Sequence, residues 1–233
     1  MFHFKKFSID DSTAAMKIGT DAVLLGAWTL CSDETRILDI GTGSGILALM
    51  IAQRTKAIID AIEIDSNAAN LAQKNVRLSP WPDQIQIFNS SIQDFSVKTN
   101  NKYSLIISNP PFFTDSLKAP DKARNIARHN DTLPVKDLLE ITSKLLTEHG
   151  KAAFIIPADA IGNWTIEASN LILYPACITR VKSTLTHSPH RVMVVFTKNK
   201  TPEILENEIS IYSSKGIYTE EYRELTRDFY LNF

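Results

Sequence analysis

Apolar residues in this chain fall into short runs of aliphatic and β-branched side chains, separated by longer stretches in which apolar positions recur every three or four residues. The first spacing suits a strand and the second one face of a helix, so the pattern predicts the two elements in alternation. Strands are expected at Arg36 to Ile40, Ile58 to Ile64, Gln84 to Phe88, Tyr103 to Ser108, Lys151 to Ile156, Ala176 to Lys182 and Arg191 to Lys198. The first five should be parallel with right-handed helical crossovers, and the short connection Thr184 to His190 makes the last two an antiparallel hairpin. The stripe Ala68, Leu71, Ala72 and Val76 predicts a crossover helix between Ser66 and Leu78, with Ser66 available as N-cap. Val135, Leu138, Leu139, Thr142, Leu145 and Leu146 predict another, begun by Asp131 and Thr132, with Pro134 in its first turn and an end near Gly150. Ile209 to Tyr212 reads as a late strand and Thr219 to about Phe229 as a tail helix packed on the domain. The expected class is α/β: a seven-stranded, mostly parallel sheet with a C-terminal antiparallel hairpin and helices on both faces.

A length of 233 residues suits one domain over 1–233, with a strand-helix extension over 200–233 following a linker at Asn199 to Pro202. Apolar runs break well short of the roughly 20 residues a membrane helix needs, and no signal-like core opens the chain, so a cytoplasmic protein is expected. Cys31 and Cys177 are far apart, without the spacing of a disulfide framework or a zinc site, and no metal is expected. A net charge of −1 means that a polyanionic partner would have to be met by a local patch. Two clusters qualify: Lys118, Lys122, Arg124, Arg128 and His129, and then Arg180, Lys182, His187, His190 and Arg191. A solvated loop and a basic strand edge account for them equally well.

The chemistry concentrates at two strand ends. Asp39-Ile40-Gly41-Thr42-Gly43-Ser44-Gly45 runs from the end of the first strand to the start of a helical run, placing three of the chain's eight glycines within five residues. Such a loop lets a ligand approach the backbone, beside the unpaired N–H groups of a helix start. Its spacing is not that of a dinucleotide fingerprint and no Walker lysine follows, so a phosphate is not the first choice. At the other end, Asn109-Pro110-Pro111-Phe112 follows Ser108. Both Asn109 and Pro110 precede a proline, which biases them to extended backbone, and neither proline can donate an N–H, so the strand should stop at Ser108. The Asn109 side-chain oxygen and the Pro110 carbonyl could accept from an amino group on a flat ring while Phe112 stacks on that ring. The alternative is a rigid double-proline turn capped by a core phenylalanine.

The glycine loop resembles the cofactor motif of class I S-adenosylmethionine-dependent methyltransferases, and Asn109 to Phe112 resembles their motif for methylating nitrogen in a planar system. From Lys17-Ile18-Gly19-Thr20-Asp21 to Tyr218-Thr219-Glu220-Glu221-Tyr222, nearly the whole chain is similar to the bacterial tRNA (adenine-N6)-methyltransferases that modify the adenine beside the anticodon of a valine tRNA. The resemblance implies a Rossmann-like fold, S-adenosyl-L-methionine as cofactor and tRNA as substrate. It assigns Asn109, Pro110 and Phe112 to catalysis. Glu63 corresponds to the ligand of the cofactor ribose, while Asp65 is read first as the start of the next helix. Asp94, in Ser91 to Phe95, is the acceptor for the cofactor adenine, and Phe95 either covers that base or belongs to the core. Asp39 orients the glycine loop or meets the methionyl amine. An N-terminal segment over 1–30 would close on the methionine end through Lys17, Thr20 and Asp21, although a plain ion pair of Lys17 with Asp21 is the alternative. Asn109, Gly41, Gly43 and Gly45 complete the cofactor set. Pro111, Phe113, Lys122, Arg128 and Arg191 are assigned to the substrate side.

Such a transfer needs neither a metal nor a covalent nucleophile, and His129 is not required as a base because proton loss after methylation is easy. The same motif would serve guanine N2 in ribosomal RNA, adenine N6 in DNA or a glutamine amide. Phe112 in place of tyrosine fits adenine and guanine. A noncatalytic RNA-binding domain and a nicotinamide enzyme are the readings from other classes.

Overall fold

In the computed structural model, residues 1–12, 17–111 and 133–231 are described. Phe112, Phe113, Lys122, Arg128 and the rest of the first basic cluster lie outside them, as do Asp131 and Thr132.

The chain opens with a two-stranded ribbon of β1 (Phe2–His3) and β2 (Ser8–Ile9), followed by α1 (Thr20–Trp28). Strands and helices then alternate: β3 (Arg36–Ile40), α2 (Ile46–Ala52), β4 (Ile58–Glu63), α3 (Ser66–Arg77), β5 (Ile85–Asn89), α4 (Ile92–Lys98) and β6 (Tyr103–Ser108). After the undescribed segment come α5 (Val135–Leu145), β7 (Leu146–Pro157), α6 (Ile161–Asn170), β8 (Tyr174–Thr184), β9 (Arg191–Thr197), β10 (Leu205–Ser214), β11 (Ile217–Tyr218) and α7 (Glu220–Thr226).

Nine strands form one sheet in the order β11-β10-β8-β9-β7-β6-β3-β4-β5. The five strands from β7 to β5 in that order are parallel, and β9 runs antiparallel to both β7 and β8. Strand β3 is the middle one of these five: the chain leaves it for β4 and β5 on one side and returns to place β6 on the other. The carboxyl ends of β3 and β6 therefore flank the point where strand order reverses, the usual ligand crevice of an open α/β sheet.

Alternation along the strands builds a core on each face, as period-2 geometry requires. Ile37, Ile59, Leu105 and Ile107 join the layer containing α1 and α2, whereas Leu38, Ile62, Ile106 and Phe154 join the one containing α5 and α6. The ends of the chain are sewn together on the first face. Phe4 bridges to Tyr230 and stacks on Phe7 at 4.7 Å, and the Lys5 amide donates to the Phe229 carbonyl at 2.8 Å.

Several expectations are corrected. The sheet has nine strands rather than seven, because β10 and β11 extend it beyond β8. The late strand begins at Leu205, four residues before the apolar run at Ile209, since Glu206 and Glu208 are held by Arg180 and Lys182 of β8. The Val135 helix ends at Leu145 instead of near Gly150, and Leu146 already pairs in β7 with Tyr103. Asp65, read as the start of the helix, is the cap of α3 in place of Ser66 and accepts from the Ala68 amide at 2.8 Å.

Candidate active site

Parallel pairing of β3 with β6 sets Asp39 beside Ile107, so Asn109, two residues further on, falls at the level of Gly41. The Ser108 hydroxyl fastens the two ends by donating to the Ile40 carbonyl at 2.7 Å. Strand β6 stops at Ser108, as the prolines require. The side-chain oxygen of Asn109 is buried and, among the described residues, accepts no hydrogen bond. An amide oxygen in that state costs about 1–3 kcal/mol, which makes it a candidate for a donor brought by a ligand.

The glycine loop turns above β3 with positive φ at Gly41, Gly43 and Gly45, of 72°, 58° and 90°. A Cβ on Gly41 or Gly43 would meet no atom within 4 Å, so backbone conformation rather than packing demands glycine there, and the loop faces open space. At Gly45 a Cβ would lie 3.5 Å from that of Ala72, an ordinary contact, so there too the positive φ is what calls for glycine. The amides of Gly41 and Thr42 both donate to the Ile62 carbonyl, at 2.9 and 3.0 Å, which ties the loop to the neighbouring strand.

Two carboxylates hold the loop from below and from the side. Asp39 is fully buried; its Oδ2 accepts from the Thr42 hydroxyl at 2.6 Å and the Ala48 amide at 3.2 Å, while Oδ1 has no partner among the described residues. Burial pushes its pKa up to about 7, against the two hydrogen bonds, and the nearby Glu63 charge adds to the rise. Glu63, ending β4, accepts from the Gly43 amide at 2.8 Å through Oε2 and from the Asp65 amide at 3.0 Å through Oε1. Asn89, at the end of β5, donates to the carbonyls of Glu63 and Ile64 and so fixes the same corner.

Asp94 is exposed in the first turn of α4, whose N-cap Ser91 accepts from the Asp94 amide at 3.0 Å. Phe95 is buried in the second core, its ring 5.0 Å from that of Phe88. The N-terminal residues are arranged differently from a Lys17–Asp21 pair. Lys17 donates to the carbonyls of Asp11 and Ser12, at 2.6 and 3.0 Å, whereas Asp21 pairs with Arg191 at 2.8 Å. Thr20 is exposed at the start of α1. Arg191 stands opposite Pro157, at the carboxyl end of β7, and so on the same edge of the sheet as the loops. Arg180 and Lys182 of the second basic cluster pair with Glu206 and Glu208, on the outer edge. Pro110 is half-buried and Pro111 exposed. Among the described residues no group of three or more His, Cys, Asp or Glu side chains could hold a metal ion, and no helix is long and apolar enough to cross a membrane. Sequence reasoning missed Thr42 and Asn75, which bond to this loop or its carboxylate. A polar residue inside the apolar stripe of α3 was the available signal for the second.

A positive-φ glycine loop after β3, an acid closing β4 and an acceptor just beyond β6 are the features of a Rossmann-like methyltransferase fold. The description "Methyltransferase small domain" belongs to the family model that matches residues 12–152. A protein of Bacteroides fragilis described as tRNA1(Val) (adenine(37)-N6)-methyltransferase is 45% identical over 231 residues, spanning 99% of this chain and 97% of that one. A Flavobacterium johnsoniae protein of the same description is 43% identical over 233 residues, spanning 99% of each. The chain belongs to the methyltransferase small domain family, in the group of these tRNA-modifying relatives. Among solved structures, a predicted O-methyltransferase from Agrobacterium tumefaciens matches with a TM-score of 0.70 over 90% of this chain and 96% of that one, at 16% identity, which shows the shared fold.

Proposed function

We propose that this protein transfers a methyl group from S-adenosyl-L-methionine to the exocyclic N6 of an adenine in tRNA, the base at position 37 of tRNA1(Val). The observation that carries the reading is the unpartnered, buried Asn109 oxygen, placed by register at the level of the glycine loop that Glu63 holds. The open backbone of Gly41 and Gly43 and the unpartnered Asp39 Oδ1 fit a ligand carrying hydroxyls and an amine. Glu63 would hold the ribose, Asp39 the methionyl amine, Asp94 the adenine, and the segment over 1–30, with Lys17 and Asp21, the methionine end. The cofactor supplies an electrophilic methyl on a sulfonium sulfur.

An adenine amine is a poor nucleophile because its lone pair is delocalised into the ring. Acceptance by Asn109 Oδ1 and the Pro110 carbonyl favours its pyramidal form and stabilises the positive charge that develops as the N–C bond forms and the C–S bond breaks. The nitrogen then sheds one proton to water. Phe112 stacks on the base, and an anticodon-loop nucleotide leaves its stack at modest cost. Lys122, Arg128 and Arg191 would contact the RNA, and Pro111 and Phe113 belong to the substrate side. The enzyme would act in the cytoplasm, where its tRNA is found.

Transfer of radiolabelled methyl to total RNA from a strain lacking the protein, followed by nucleoside analysis, tests the reading. Label in N6-methyladenosine of a valine tRNA is expected. Label confined to protein, to DNA or to a guanosine would refute it.

A further inference from the structure

Asn75 lies on the inner face of α3, between the buried residues Leu71, Ala72 and Val76, and is only 1% exposed. An amide in an apolar stripe is costly unless its polar atoms are satisfied, and here they are satisfied entirely by backbone. Oδ1 accepts from the Asp10 amide at 2.9 Å, while Nδ2 donates to the carbonyls of Asp10 and Ser44, each at 2.9 Å. Asp10 directly follows β2, and Ser44 sits between Gly43 and Gly45. One side chain thereby bonds the N-terminal segment to the glycine loop.

The connection continues along the segment. Asp11 Oδ2 accepts from the Ile18 amide at 3.4 Å, and the carbonyls of Asp11 and Ser12 accept from Lys17. The seat of residue 10 is thus linked through Asp11 and Ser12 to Lys17 and Ile18, just ahead of Thr20 and Asp21. Bonds made to backbone report position and not the identity of residue 10, so the arrangement acts on geometry.

We propose that Asn75 is a positioning residue that sets cofactor affinity by holding Asp10, and through the bonds of Asp11 and Ser12 also Lys17 and Ile18, in register with Ser44. The proposal rests on the reading that Lys17 and Asp21 meet the methionine end of the cofactor.

The test uses the full chain and S-adenosylhomocysteine as probe, with Asn75→Leu, which keeps the volume and removes all three bonds. The Kd for S-adenosylhomocysteine and the KM for S-adenosylmethionine should both rise about tenfold or more, with kcat and the KM for tRNA within about threefold of wild type. A merely structural role would lower the melting temperature and the active fraction while leaving both cofactor constants in place, and that result overturns the proposal. Should Asn75→Leu fail to fold, Asn75→Ser, which leaves room for water, is judged by the same two constants. Lys17→Met and Asp21→Asn separate the two layers. If they weaken S-adenosylhomocysteine binding and the Asn75 variants do not, the segment's contact stands and the role of Asn75 is overturned. If they leave binding unchanged, the contact itself fails and the proposal falls with it.

Discussion

The Glu63 carboxylate accepts from the Gly43 amide at 2.8 Å, so the acid that ends β4 also sets the shape of the loop that follows β3. Its second oxygen is engaged by the Asp65 amide at 3.0 Å. A carboxylate has about four lone-pair sites, which leaves capacity for the two hydroxyls of a ribose. Glu63→Ala removes the loop's anchor together with those acceptors. S-adenosylhomocysteine affinity should fall by about 10- to 100-fold, the range of one to two charge-assisted hydrogen bonds, with Glu63→Gln intermediate. Titration calorimetry without RNA reads this directly, and an unchanged Kd in Glu63→Ala would remove the ribose role.

Asn109→Ala separates chemistry from binding. Loss of an acceptor that works on developing charge is worth about 10²- to 10³-fold in kcat, and single-turnover methyl transfer to tRNA should fall by that amount. Stability should not fall with it. The Asn109 oxygen has no partner among the described residues, so truncation forfeits no hydrogen bond there and relieves a buried polar atom. A melting temperature equal to or above that of wild type, combined with the rate loss, is the expected pair of results. Normal turnover by Asn109→Ala would eliminate the proposed chemistry.

Strand ends were legible from sequence wherever one residue pattern admitted one structure. The Pro110-Pro111 pair could only stop β6, and the three glycines after Asp39 could only turn the chain sharply. Positions compatible with two structures misled. Leu145 and Leu146 continue a helical stripe, yet Leu146 opens β7. Gly150 looked like a helix stop, although a Cβ there would lie 2.8 Å from Leu146 and Thr147 side-chain atoms, so its glycine serves close packing. Ser66 is available as a cap beside Asp65, and it is Asp65, whose carboxylate also suits the helix start, that caps α3. The polar start of β10 pairs in parallel with β8 from Leu205 onward, and Arg180 and Lys182 reach diagonally to its acids Glu206 and Glu208. Asp21 with Arg191, and Asn75 with Asp10 and Ser44, join residues far apart in the chain, which pattern reading along one element cannot reach.

Asp39 carries a pH dependence that follows from its burial. Its folded-state pKa, about 7, lies above the ordinary aspartate value, so the unfolded chain ionises first as pH rises. The protonated form therefore stabilises the fold at low pH. That contribution is complete below the unfolded pKa near 4 and is lost as pH climbs through about 7, at up to about 4 kcal/mol. Asp39→Asn, which places an N–H where a protonated Oδ1 would carry one, should lose this slope and be more stable than wild type at pH 8. Binding should run the other way. If Asp39 meets the methionyl ammonium, wild-type affinity for S-adenosylhomocysteine improves from pH 6 to pH 8, whereas that of Asp39→Asn stays flat. Denaturant titrations and calorimetry across this range check both slopes.

Far from the loops, Asp60 is fully buried in β4, where Arg36 reaches it through Nε at 2.9 Å and a terminal guanidinium nitrogen at 3.1 Å, and the Tyr103 hydroxyl donates at 2.7 Å. Burial and the Asp60 charge push the Tyr103 hydroxyl above its ordinary pKa, so it remains a donor at neutral pH. Removing one partner leaves a buried charge short of compensation, whereas removing both ends of the pair does not. Arg36→Met should cost about 3 kcal/mol and Tyr103→Phe about 1 kcal/mol. The double variant Arg36→Met with Asp60→Leu should recover most of the first loss, because no charge then stays behind in the core. All three should bind S-adenosylhomocysteine as wild type does, since Asp60 pairs with Leu38 and lies three residues before Glu63 along β4. Urea denaturation at pH 7 measures the series, and a double variant no more stable than Arg36→Met would show that packing around the guanidinium, and not charge compensation, is what Arg36 contributes.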